Sequence, residues 1–145
     1  MQKRYSRNVR RTRGVKTKSI LDSFALLAYL KQEKNYDKVK NFLSSNDIQL
    51  LMNDVNIGET FYILARERGF EKAEYFINAI LPTLPIAPCG NTLPDVIEAA
   101  KIKAQYPISY ADAFAVATAV KEGATLITGD PDFKHVEKIV RIEWL

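Results

Sequence analysis

Apolar positions along this chain switch between a period near two and a period near 3.6, and the switching predicts the architecture. Ser19-Ile20-Leu21 is a short apolar run ending at Asp22, followed by Phe24, Leu26, Leu27 and Leu30 at helical spacing. That pattern predicts a strand and then a helix. Residues 36–45 form a second short helical pattern, and Ile48-Gln-Leu-Leu-Met52 reads as a buried strand running into the polar pair Asn53-Asp54. A helix over about 55–68 stops at Gly69. Residues 70–81 predict another helix closed by Pro82, and Leu84-Pro-Ile-Ala-Pro88 a short extended segment whose Pro85 suits a sheet edge. Helices follow at about 92–105 and 109–121, then the strand Ala124-Thr-Leu-Ile-Thr128, the turn Gly129-Asp-Pro-Asp132 and a last strand near 139–144. Short strands alternating with helices predict an α/β domain, a parallel sheet with helices on both faces. No repeat, low-complexity tract or second domain is evident.

At 145 residues the chain fits one domain that can bury a proper core without disulfides. The single cysteine, Cys89, has no partner for a bridge and no zinc-ligand spacing around it, so it reads as a small apolar filler in a reduced, intracellular protein. No stretch has the length of apolar sequence a membrane span requires, and the amino terminus shows no signal-peptide core, so a cytoplasmic protein is expected.

Charge changes the picture at the amino terminus. The formal net charge is +4, yet residues 1–18 hold eight of the 21 Lys/Arg and none of the 17 Asp/Glu. Residues 19–145 are therefore mildly acidic, and a basic arm, residues 1–18, precedes them. Such an arm can contact RNA phosphates, with Arg10, Arg11, Arg13 and Lys16 as candidates, or it can be a solubilising leader. Charge alone does not separate the two.

Candidate chemistry lies in the acids. Open parallel sheets bind ligands beyond the carboxyl ends of their strands, where Asp22 and Asp130 fall. Each also has a plain structural explanation, Asp22 as a helix N-cap and Asp130, with Asp132, as turn chemistry. Glu59 has no basic neighbour three or four positions away, whereas Glu67 sits between Arg66 and Arg68. Asp112 lies in a helix apolar nearly all round, where Ser109 and Asp112 have the spacing of a capping box. If the acids converge, each pair about 5 Å apart repels by roughly 3 kcal/mol at an effective dielectric near 20. A divalent cation removes that cost, and all-oxygen donors favour Mg²⁺ or Mn²⁺ over zinc. Ser23, Ser109 and Thr128 can add hydroxyls, for metal-bound water or for capping. The lone histidine, His135, reads as a surface residue.

Taken in order, Asp22-Ser23 closing the first strand, Gly58-Glu59 in a helix, Ser109-Tyr-Ala-Asp112, and Thr128-Gly-Asp-Pro-Asp-Phe133 resemble the PIN domain, and within it a VapC-type toxin. The similarity covers about residues 19–145 and leaves out the arm. It implies a three-layer α/β/α sandwich with a short central parallel sheet. It further implies an acidic pocket in which Asp22, Glu59, Asp112 and Asp130 match the family's quartet, with Asp132 and Thr128 in supporting positions. The activity implied is Mg²⁺- or Mn²⁺-dependent cleavage of single-stranded RNA, in a homodimer inhibited by a cognate antitoxin. A housekeeping RNA-processing nuclease of the same fold, or a non-catalytic RNA- or antitoxin-binding module, remains the alternative. A haloacid-dehalogenase phosphatase would need a second aspartate where Phe24 stands, and a phosphoreceiver domain would need paired acids there.

Overall fold

The computed structural model describes residues 16–145; Arg10, Arg11 and Arg13, and with them most of the arm, lie outside the described residues. Five parallel strands form one sheet. They are β1 (Thr17–Leu21), β2 (Ile48–Asn53), β3 (Ile86–Cys89), β4 (Thr125–Thr128) and β5 (Ile142–Trp144), in the spatial order β3-β2-β1-β4-β5. The strand order reverses between β1 and β4, and the crevice beyond their carboxyl ends is where such sheets bind ligands.

Strand alternation divides the core in two. Ile20, Leu51 and Leu126 point to one face and Leu21, Leu50, Met52 and Ile127 to the other. The first face is covered by α5 (Leu93–Gln105) and α6 (Tyr110–Glu122), which contribute Ala99, Phe114, Val116 and Ala119. The second is covered by α1 (Ser23–Leu30), α2 (Tyr36–Ser44), α3 (Asp54–Arg68) and α4 (Phe70–Tyr75), through Leu26, Val39, Ile57, Leu64 and Ala73, with Phe76 just beyond α4. The three-layer sandwich is the one the sequence predicts.

Three boundaries differ. The helix expected over 70–81 is α-helical only to Tyr75; it widens into a π-type turn over Phe76–Ile80 and tightens into a 3-10 turn over Leu81–Thr83. Pro82 has no amide to give to the preceding turn and its ring crowds it, so the regular ladder loosens ahead of it. The extended segment at 84–88 pairs as Ile86–Cys89, an edge strand as its prolines require. The last strand is shorter than 139–144 because residues Pro131–Val136 form a 3-10 turn that buries Phe133 and Val136, and pairing begins only at Ile142.

Candidate metal centre

Asp22, Asp112 and Asp130 are each delivered by the end of an element. Asp22 follows the last residue of β1 and caps α1: its Oδ1 accepts from the Ala25 amide at 2.8 Å. Its Oδ2 accepts from the Thr128 hydroxyl at 2.5 Å, and the residue is only 2 % exposed. Thr128 ends β4, the neighbouring strand, and its Oγ1 also accepts from the Asp130 amide at 3.0 Å. One hydroxyl therefore joins the loop after β1 to the loop after β4. Asp130 caps the 3-10 turn, its Oδ1 accepting from the Asp132 amide at 2.9 Å.

Asp112 stands in the first turn of α6, where the aligned peptide dipoles favour a negative charge. Ser109 is the N-cap and its Oγ accepts from the Asp112 amide at 3.0 Å. Glu59 lies midway along α3, half-buried, and accepts from the Ser23 hydroxyl at 2.5 Å. Ser23 thus orients Glu59, Ser109 caps α6, and Thr128 orients Asp22.

The acids feel one another. Burial pushes the Asp22 carboxyl up to about 7; the Thr128 and Ala25 hydrogen bonds oppose this, and the charges of Asp112 and Asp130 add to it. Burial likewise raises Asp112 to about 6, against its hydrogen bonds with Ser109 and with help from the charges of Asp130 and Glu59. Among the described residues none of these acids forms an ion pair; the five salt bridges present lie elsewhere. Carboxylate oxygens of Asp112, Asp130 and Asp132 come within 4.8 Å of one another. All three donors are carboxylate oxygens, the chemistry that suits Mg²⁺ or Mn²⁺, and these side chains would draw closer together to share one such ion. Asp132, exposed and read from sequence as an auxiliary, belongs to the tightest cluster. Asp22 joins it through Thr128 and Asp130, and Glu59 flanks Asp112.

Lys16 is exposed at the opposite end of the sheet, before β1. The six residues from it to Asp22 span about 20 Å in extended form, so Lys16 is not brought to the acids. Cys89 is half-buried, its thiol raised by burial and by the charges of Glu122 and Asp54, and His135 is exposed. Both lie outside the acidic cluster.

The sequence reading missed a set of buried amides. Asn53, which ends β2, accepts from the Val55 amide and so caps α3; its Nδ2 donates to Asn91 Oδ1 and Thr118 Oγ1. This network backs a separate cavity of about 190 Å³ between β3, α5 and α6, which none of the quartet lines. Asn56 is fully buried, and its Nδ2 donates to the Ala111 carbonyl at 3.0 Å. The signal was available in principle: Asn56 shares the inward face of α3 with Thr60 and Leu64 and lies one turn before Glu59.

A family model described as PIN domain matches residues 19–139. Among solved structures, the fold is similar to the Mycobacterium tuberculosis toxin VapC20, described as cleaving the sarcin-ricin loop, with a TM-score of 0.69 at 19% identity over 81% of this chain and 94% of that one. VapBC2 from Rickettsia felis, solved on a DNA fragment from its promoter, gives a TM-score of 0.67 at 17% identity over 89% and 99% of the two chains. FitAcB from Neisseria gonorrhoeae gives 0.62 at 22% identity over 86% and 95%. No curated protein matches by sequence.

Proposed function

The chain belongs to the PIN domain family, and we propose on that footing that it is a metal-dependent endoribonuclease hydrolysing phosphodiester bonds in single-stranded RNA, the toxin of a toxin–antitoxin pair. The observation that carries this reading is the convergence of Asp22, Asp112 and Asp130 with no basic partner among the described residues, each carboxylate raising the proton affinity of another. Structure alone has no use for that arrangement. Two of these acids also cap, but capping needs one acceptor per turn, not mutual repulsion.

In this reading Asp112, Asp130 and Asp132 hold Mg²⁺ or Mn²⁺, with Asp22 and Glu59 completing the negative wall. An ion held by these residues would supply an acidified water and charge neutralisation at the leaving oxygen. The chain's own work is placement. Thr128 holds Asp22 against rotation and Ser23 holds Glu59, so the acceptors are fixed before the ion arrives. An arrangement fixed in advance loses little entropy on binding. A homodimer, and an antitoxin segment that occupies the pocket, are the partners this reading implies; that a similar solved structure is a toxin–antitoxin complex, from Klebsiella pneumoniae, supports an antitoxin partner.

Cleavage of single-stranded RNA by the purified chain, with Mn²⁺ or Mg²⁺, tests the proposal. The expected result is cleavage that EDTA abolishes and that Asp112→Asn lowers by about two to three orders of magnitude, the scale of losing one preorganised charged group at a reacting centre. Cleavage unchanged in EDTA sinks the metal reading. Full RNA-binding function in Asp112→Asn, with no cleavage by either protein, selects the non-catalytic module instead. Mapping RNA ends after controlled expression then distinguishes toxic cleavage from a housekeeping maturation cut.

A further inference from the structure

We infer that Asn56 is a positioning residue that sets the spacing of Glu59 and Asp112 by clamping α3 to α6; the inference rests on the nuclease reading of the pocket. Asn56 is 0 % exposed, and its Nδ2 donates to the carbonyl of Ala111, the residue before Asp112. Glu59 follows Asn56 by three residues on the same helix, so its side chain leaves the adjoining turn. A single amide thus reaches from the helix that carries one acid to the first turn of the helix that carries another.

The other half of that amide is unusual. Asn56 Oδ1 is buried with no hydrogen-bond partner, alone in this among the described side chains. Turning the amide over does not help, because it would set Oδ1 against the Ala111 carbonyl. A buried acceptor left unmet is a desolvation penalty without return, and a leucine, which branches at Cγ in the same way with bulkier methyl groups, would avoid it. Asparagine at this position therefore stabilises the fold less than an apolar side chain would. What it supplies is direction, a bond that fixes α6 along its axis relative to α3. Apolar packing between the two helices tolerates small sliding, whereas a hydrogen bond to one named carbonyl does not.

The test compares the wild type with Asn56→Leu and Asn56→Ser, which break the bond by replacement and by truncation, and with Thr118→Val, which removes a buried hydroxyl of α6 away from the acids. Three quantities are read: melting temperature in EDTA, the Mn²⁺ concentration giving half of the metal-induced rise in melting temperature, and kcat and KM for a short RNA. The expected result for Asn56→Leu is an unchanged or higher melting temperature in EDTA. Its Mn²⁺ midpoint should be weaker and its kcat lower by about ten- to a hundredfold, as for other groups that orient metal ligands, with KM within about twofold. Asn56→Ser should show the same split, and reads the bond if the leucine variant does not fold. Thr118→Val should lose stability and keep its Mn²⁺ midpoint. Asn56 variants that bind Mn²⁺ and turn over like the wild type, or a Thr118→Val that loses Mn²⁺ affinity and turnover for its loss of stability as the Asn56 variants do, overturn the inference alone. A wild type that neither responds to Mn²⁺ nor cleaves RNA overturns the pocket reading, and the inference with it.

Discussion

Asp22 is predicted to cost the fold stability as pH rises when no cation is bound, and the pH dependence of stability measures by how much. Its carboxyl moves from 3.8 to about 7 on folding, so the folded chain holds the proton more tightly than the unfolded chain does. A group shifted in this direction stabilises the fold fully below the unfolded value and loses that contribution as pH rises through the folded one. Between pH 5 and 8 the loss is about two units' worth, or about 2 to 3 kcal/mol at 1.4 kcal/mol per unit. Asp112, raised to about 6, acts in the same direction but is more open to solvent and adds less. Asp22→Asn removes the titration while keeping an acceptor for the Ala25 amide, and it places an NH₂ group against the Thr128 oxygen. Urea unfolding in EDTA at pH 5, 6, 7 and 8 should therefore show the variant gaining on the wild type by about 2 to 3 kcal/mol across the range, on the order of 10 °C in melting temperature. Saturating Mn²⁺ should reverse the order at pH 8, because a ligand that binds only the folded state stabilises it. Parallel pH curves for the two proteins in EDTA would refute the claim that Asp22 is buried among like charges.

Two further outcomes follow from the same geometry. Thr128→Val removes the hydroxyl that donates to Asp22 and accepts from the Asp130 amide, and should destabilise the chain by about 1 to 3 kcal/mol in urea unfolding; it should also weaken the Mn²⁺ midpoint, and an unchanged midpoint would confine Thr128 to a structural role. Deleting residues 1–16 should weaken RNA binding and leave the Mn²⁺ midpoint unchanged. The slope of log K against log salt should flatten by about 0.7 for each phosphate that the shortened chain no longer neutralises, and equal slopes for both chains would reduce the arm to a leader.

Most of the architecture was legible because it is written in short-range periodicity. Ile20 and Leu21, or Leu50 and Leu51, are neighbours in sequence and belong to opposite cores, which only a strand buried on both faces produces. Gly69 ends α3 as expected, whereas its N-cap, Asn53, reads in sequence only as a polar residue closing the strand. What periodicity did not resolve depended on competition between distant groups. The π-type turn before Pro82 compromises between helix continuation and a ring that forbids it. The late start of β5 follows from Phe133 and Val136 reaching the core before the chain can pair. Glu59 was marked out by the absence of cations near it in sequence, which geometry also fits, but its partner Ser23 lies 36 residues away. Asn56 could be placed on the inward face of α3, but its partner could not be read for the same reason: it is the Ala111 carbonyl, 55 residues on.

The capping and metal explanations of the acids, opposed when each residue is read alone, support one another in the proposed reading. A carboxylate offers about four lone-pair directions; capping Ala25 takes one from Asp22 and the Thr128 hydroxyl another, both on bonds that fix its rotation. The remaining directions then point in a defined orientation at no entropic cost when a cation binds. Asp130 does the same with a single backbone amide, and Asp112 reaches its position because Ser109 starts α6 at the sheet edge. Thr128 links the two halves, donating to one acid and accepting from the backbone of another, so neither loop can move without the other. Two of the acids, Asp22 and Asp130, are thus held as caps. Glu59, which caps no helix, accepts instead from the Ser23 hydroxyl, and that bond keeps it from spreading away from its neighbours when the site is empty.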